Sequence, residues 1–145
     1  MRPEPALPTR VRVRVEVPRG SLAKRGAHGQ IEFLSPVPCP FHYGSVVGVL
    51  GADGDAQDAL ILGARGPCPR GSVHELPVRA CIRFVDDGFA DDKWVCSSAP
   101  VTRAQELALV AFFRFYGVVK LAHDRVRGKR APTGYRGFRR VPTDV

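Results

Sequence analysis

At 145 residues the chain has the length of one domain able to bury a hydrophobic core, so it needs neither disulfide staples nor a structural metal to fold. Its hydrophobic fraction of 44% and charged fraction of 25% are those of an ordinary globular protein and exclude a disordered or fibrous class. The net charge of +8 is unevenly spread: residues 1–30 hold seven Lys/Arg against two Glu, residues 31–93 nine Asp/Glu against five Lys/Arg, and residues 120–145 eight Lys/Arg against two Asp. An acidic centre framed by basic ends suits an anionic substrate bound through metal, and it would also suit nucleic acid. The chain contains no apolar run long enough to span a membrane and no secretory pattern at its start, so a cytoplasmic location and no membrane partner are expected. Cys39, Cys68, Cys81 and Cys96 form no C-x-x-C pair, which argues for reduced, mostly buried thiols rather than zinc or a disulfide framework.

Residues 1–9 carry three prolines and no periodicity and read as a flexible leader. From Arg10 to Val17 the pattern alternates strictly: Val11, Val13, Val15 and Val17 face one way and Arg10, Arg12, Arg14 and Glu16 the other, the signature of a half-buried strand. Pro18 and the glycines at 20, 26 and 29 mark a turn-rich passage before a short extended segment at 30–34. Pro36, Pro38 and Pro40 then deliver Phe41-His42-Tyr43-Gly44 on an irregular segment. Strands are expected at 45–50, 59–63, 72–85 with a break near Pro77, and 93–97. Short strands separated by turn signals, with no helices between them, predict a small barrel or a two-sheet β architecture.

One helix follows. Thr102-Arg103-Ala104-Gln105 fits a capping box, and Leu109, Phe113, Tyr116 and Lys120 share a face beyond it. After His123 the chain turns basic and rich in glycine and proline, predicting a loose tail over 124–145 with Tyr135 and Phe138 as anchors.

Two acidic stretches stand out, Asp53-Gly54-Asp55-Ala56-Gln57-Asp58 and Asp86-Asp87-Gly88-Phe89-Ala90-Asp91-Asp92-Lys93. Two carboxylates about 4 Å apart near a surface repel by roughly 4 kcal/mol, so a fold that gathers several wants a cation among them. An EF-hand does not fit: counting from Asp53, the required glycine is Asp58 and the required glutamate is Ala64. His28, His42, His74 and His123 have no ligand spacing, Ser21 and Ser97 have no evident base, and no phosphate-binding glycine loop is present.

The first acidic stretch resembles the signature loop of family I soluble inorganic pyrophosphatases: Asp, a small residue, Asp, usually Pro, a hydrophobic residue, Asp. Other fragments follow the family in order. Glu16-Val17-Pro18-Arg19-Gly20-Ser21 resembles Glu-Ile-Pro-Lys-Gly-Ser, and Pro40-Phe41-His42-Tyr43-Gly44 resembles Pro-x-Asn-Tyr-Gly. The second acidic stretch resembles Asp-x-x-x-x-Asp-x-Lys, and Phe112-Phe113-Arg114-Phe115-Tyr116 resembles Phe-Phe-x-x-Tyr.

The resemblance implies a mainly β, α+β fold: a small OB-like five-stranded barrel with one long C-terminal helix, forming a catalytic domain over 10–123. It further implies Mg²⁺-dependent hydrolysis of inorganic pyrophosphate with two or more ions, Mn²⁺ or Zn²⁺ being possible substitutes. Asp53, Asp58, Asp86 and Asp91 fall at the metal ligands and Asp55 at the base that deprotonates the attacking water. Lys24, Tyr43, Lys93 and Tyr116 fall where the family binds phosphate oxygens, and Glu16 at a site glutamate acting through water and neighbouring cations. A homo-oligomer is expected.

The chain also departs from the pattern. No arginine lies between Arg25 and Arg65, where the family has a phosphate-binding one. The lysine after the Tyr116 position is Gly117, a glutamate is Gly26, an entry tyrosine is Cys39, and the usual asparagine is His42. Lys120 and Arg25 are the cations placed to stand in. Two alternatives follow: a related domain with weak or altered phosphoanhydride activity, or a basic, non-enzymatic nucleic-acid-binding barrel. The acidic stretches weigh against the second because they repel a phosphate backbone.

Overall fold

The computed structural model describes residues 6–19, 23–25, 31–34, 41–63 and 66–142. The alternating valines form β1 (Arg10–Val17), and β2 (Ala23–Arg25) pairs with β3 (Ile31–Leu34) as a separate ribbon. Next come β4 (His42–Leu50), β5 (Ala56–Leu62), β6 (Val73–Asp86), β7 (Phe89–Ala90) and β8 (Lys93–Ser97), then α1 (Arg103–Val126) and β9 (Gly134–Arg140). Strands β1, β4, β5, β8 and β6 hydrogen-bond in that order and β6 returns to β1, closing the five-stranded barrel expected from the resemblance. Among the described residues only β5 and β8 run parallel; the crossover such a pair requires is supplied by β6 and its hairpin with β7.

Each barrel strand contributes to an interior cluster that includes Val11, Val13, Val46, Ala59, Val78 and Cys96. The opposite faces of β5, β6 and β8 pack Leu60, Ile82, Phe84 and Val95 against Leu109 and Phe113 of α1. The Phe41 ring stacks on Phe113 at 5.7 Å. Burying each of these phenylalanines contributes about 2 to 3 kcal/mol. The helix starts as its capping box predicts: Gln105 N donates to Thr102 Oγ1 at 3.1 Å, and Thr102 N donates to Gln105 Oε1 at 2.9 Å.

Three departures from the sequence reading have physical causes. Val17 leaves the face of the other valines, because β1 meets β4 with Val15 opposite Gly44 and Val17 opposite Tyr43. The bulge at Glu16 turns Val17 into the helix-side core. A Cβ on Gly44 would stand 1.8 Å from Arg14 O, so glycine is what lets the two strands close there. Second, β6 continues through Pro77 instead of breaking. Pro77 lies opposite Arg10 of β1, and from Val78 onward β6 pairs with β8. The residue without an N–H sits where the strand changes partner.

Third, residues 124–140 are built into the fold rather than forming a loose tail. Asp124 is buried on α1 and accepts from Thr133 Oγ1 at 3.1 Å, while Arg125 donates to Lys129 O and Ala131 O. This fixes the reversal that brings β9 alongside β6 from Ala80 to Val85. Tyr135 and Phe138, the expected anchors, pack against the helix-side core. The composition of this stretch conceals it because β9 is held mainly by its backbone ladder.

Candidate active site

The strand register builds the centre of the site. Asp58 of β5 lies directly opposite Lys93 of the parallel strand β8, and Asp91 lies two residues before Lys93 on extended chain, hence on the same face. Lys93 Nζ is 2.7 Å from Asp58 Oδ2 and 2.7 Å from Asp91 Oδ2, with only 3% of its side chain exposed. Burial alone would lower the Lys93 pKa, but the two carboxylates outweigh it and raise it well above the usual range. Burial pushes Asp91 up to about 6; Lys93 opposes that shift and the nearby Asp58 adds to it.

Two phenols complete this centre. Tyr43 of β4, drawn in by the bulge and Gly44, hydrogen-bonds Asp58; burial, then the Asp58 charge, raises its pKa well above 10. Tyr116 of α1 stands among Lys93, Asp86, Asp91 and Asp58, and burial pushes it up to about 12. Lys93 Nζ lies 5.8 Å from the Tyr43 ring centre and 5.5 Å from that of Phe84, so its charge is also set against two aromatic faces.

The other expected ligands stand further out. Asp86 ends β6 beside the Asp87-Gly88 turn of the β6–β7 hairpin, and its Oδ2 is 3.4 Å from Lys120 Nζ. Asp53 and Asp55 are exposed on the β4–β5 turn, where Asp55 N donates to Asp53 Oδ1 at 3.1 Å. A cavity of about 230 Å³ is bordered by Asp53, Asp58, Asp91 and Asp92, with Trp94 and Arg83 also lining it. Glu16 sits half-buried at the bulge next to Tyr43, its carbonyl accepting from Arg70. Lys24 lies on β2, but its side chain is outside the described residues, as are Gly26 and Cys39.

Tested against Mg²⁺, the donor set fits: the candidate ligands are all carboxylate oxygens, the chemistry a hard divalent cation takes, and Asp58 and Asp91 already converge on one cationic centre. Among the described residues, no three His, Cys, Asp or Glu side chains stand close enough to form a finished metal cage. The structure thus brings Asp58, Asp91, Lys93, Tyr43 and Tyr116 together, sets Asp86 beside them with Lys120, and leaves Asp53 and Asp55 on the facing turn.

Two positioning residues escape the sequence reading. Gln57, buried within the first acidic stretch, donates to Asp92 O at 2.5 Å and to Asp58 O at 3.0 Å, tying the segment that carries Asp91 to β5. Its signal was its place between Asp55 and Asp58. Asp92 accepts from Phe84 N at 3.2 Å through Oδ1. His42, the histidine nearest the site motifs, accepts from Arg19 N at 2.9 Å through Nδ1, a structural use of that nitrogen.

The family model for inorganic pyrophosphatase matches residues 13–125, most of the chain and every candidate site residue just described. The chain belongs to the inorganic pyrophosphatase family. Among its relatives, the inorganic pyrophosphatase of Gluconobacter oxydans is 33% identical over 97 residues, covering 62% of this chain and 56% of the relative. That of Haemophilus influenzae is 36% identical over 91 residues, covering 58% and 51%. The chain spans about half the length of the curated relatives it matches. The inorganic pyrophosphatase structure from Thermus thermophilus superposes with a TM-score of 0.72 at 24% identity, over 94% of this chain and 86% of that one. The Neisseria gonorrhoeae structure gives 0.64, also at 24%, over 91% and 83%. At such identities these two speak for the barrel and helix alone. Among the described residues no helix is long and apolar enough to cross a membrane.

Proposed function

We propose that the chain hydrolyses inorganic pyrophosphate to two phosphates with Mg²⁺, held by Asp53, Asp58, Asp86 and Asp91. The observation that carries this reading is the convergence of Asp58 and Asp91 on the buried Lys93 between two phenols, in a chain of this family. Bound Mg²⁺ would lower the pKa of a water, orient it towards phosphorus and neutralise charge on the leaving phosphate. Asp55 takes the proton from that water. Lys93, Tyr43, Tyr116 and Lys24 bind phosphate oxygens; the two phenols, held neutral by burial, donate hydrogen bonds as charge builds on the leaving group. Glu16, beside Tyr43 at the bulge, acts through water and the neighbouring cations.

A cytoplasmic homo-oligomer completes the reading. Leu107, Phe115 and Val118 are exposed along the outer side of α1, an apolar strip that a second copy would cover; sedimentation of the purified chain checks this. The function itself is tested by phosphate release from pyrophosphate with and without Mg²⁺, with tripolyphosphate and nucleotides run alongside. Folded protein that releases no phosphate from pyrophosphate at saturating Mg²⁺ overturns it.

A further inference from the structure

Tyr116 and Lys120 lie one turn apart on the same face of α1. Between them Gly117 meets β9 so closely that an added Cβ would stand 3.0 Å from Gly134 Cα, so a cationic side chain at that position would have to displace β9. Lys120 is the next residue of the helix able to bring a cation to the site, and its only ion pair among the described residues is with Asp86.

Lys93 and Lys120 are held very differently. Lys93 is locked by two contacts of 2.7 Å and 3% exposed. Lys120 is 21% exposed and reaches a single carboxylate, itself 32% exposed, at 3.4 Å. A single pair of that length and exposure is weak, and a lysine ammonium on its flexible stem is easily redirected to another anion.

We infer that Lys120 is a substrate-binding residue whose resting partner is Asp86, exchanged for a phosphate of pyrophosphate when a divalent cation takes that carboxylate. The inference rests on the pyrophosphate reading above. Until the exchange, Lys120 keeps Asp86 neutralised and competes with the metal for it. Afterwards the ammonium faces the negative charge brought in by the substrate, on the same side of the helix as the Tyr116 phenol.

The inference requires that one substitution weaken the binding of one ligand without weakening that of the other. In Lys120→Met, Mg²⁺ alone, followed by the fluorescence of Trp94 beside the Asp58 and Asp91 cavity, binds as tightly as in the parent or up to about threefold tighter, because a competing cation is gone. Imidodiphosphate, which is not hydrolysed, binds the Mg²⁺-saturated variant about tenfold more weakly by calorimetry, the loss of one charge-assisted hydrogen bond. Lys120→Arg recovers part of that affinity. Circular dichroism confirms that the variants are folded, and Lys120→Gln provides a second neutral side chain. If Lys120 serves only to neutralise Asp86, imidodiphosphate affinity is the same in parent and variants, and that result overturns the inference; so does weaker Mg²⁺ binding in Lys120→Met. A parent protein that binds imidodiphosphate but does not hydrolyse pyrophosphate overturns the hydrolytic reading alone. In that event the tenfold difference still supports the role of Lys120, and equal affinities still overturn it.

Discussion

Gly117 of α1 and Gly134 of β9 meet backbone to backbone: a Cβ on Gly117 would lie 3.0 Å from Gly134 Cα and 3.2 Å from Tyr135 N. Glycine within a helix costs about 1 kcal/mol relative to alanine, and here that cost is offset by the docking of a strand. Neither neighbouring atom belongs to a flexible side chain, so the contact cannot be relieved locally. Gly117→Ala is therefore expected to lower stability by about 1 to 3 kcal/mol, as overpacking does, instead of raising it. Urea unfolding of the two proteins checks the sign.

Lys93→Met leaves Asp58 and Asp91 facing each other without their ammonium. Removing one partner from a buried ion cluster costs about 3 to 5 kcal/mol, and most of that loss is expected in EDTA. Added Mg²⁺ should return a larger share of stability to the variant than it adds to the parent, because it supplies the missing charge. Equal Mg²⁺ increments in the two urea titrations would mean that Asp58 and Asp91 do not hold the metal.

Asp55→Asn is expected to separate chemistry from folding. The residue is exposed on the β4–β5 turn, so its melting temperature should match the parent's. Turnover of pyrophosphate should fall by about 10²- to 10⁴-fold, the range for losing a general base. A variant with undiminished phosphate release would remove Asp55 from the mechanism.

Some of this is legible in the sequence and some is not, for identifiable reasons. The alternation of β1 as far as Val15 and the cap at Thr102 are local patterns, and both are found where the residues indicate. The aspartates and Lys93 are equally visible as types. That Lys93 sits between Asp58 and Asp91 is not, because it depends on the parallel register that places Asp58 opposite Lys93, and that register exists only once β6 has crossed between the two strands. Strand β9 is hidden for a related reason: it is fixed by backbone bonds to β6 and by the absence of a side chain at Gly117. The bulge at Glu16 also leaves no mark, since an extra residue in a strand looks like any other until its partner is known.

Thr133 joins three elements: its Oγ1 donates to the buried Asp124 of α1 and accepts from Asp87 N in the β6–β7 turn at 2.9 Å. Thr133→Val keeps the shape and leaves both groups without this partner, at a cost of about 1 to 3 kcal/mol. Because that turn adjoins Asp86, amide hydrogen exchange at Asp87 and Gly88 should accelerate more than at Val95 in the barrel. Uniform acceleration would make the clamp a contributor to global stability only.

Cys96 lies fully inside the barrel, and burial pushes its thiol up to about 12; Cys68 is also buried and raised for the same reason. The attacking species in thiol chemistry is the thiolate, so both should resist a thiol reagent at pH 8 while the protein is folded. Modification of Cys96 is expected to follow the unfolding curve in urea. Rapid labelling in native buffer would contradict the burial.

The pairing of β9 with β6 also bears on how the chain reaches its folded state. Until residues 134–140 are in place, β6 offers unpaired donors and acceptors over Ala80–Val85, beside the apolar side chains of Ile82 and Phe84. An open edge of that kind templates other chains. The last strand of the described residues therefore acts as a guard for one laid down much earlier, and a chain lacking it should be lost to aggregates, which sedimentation would show.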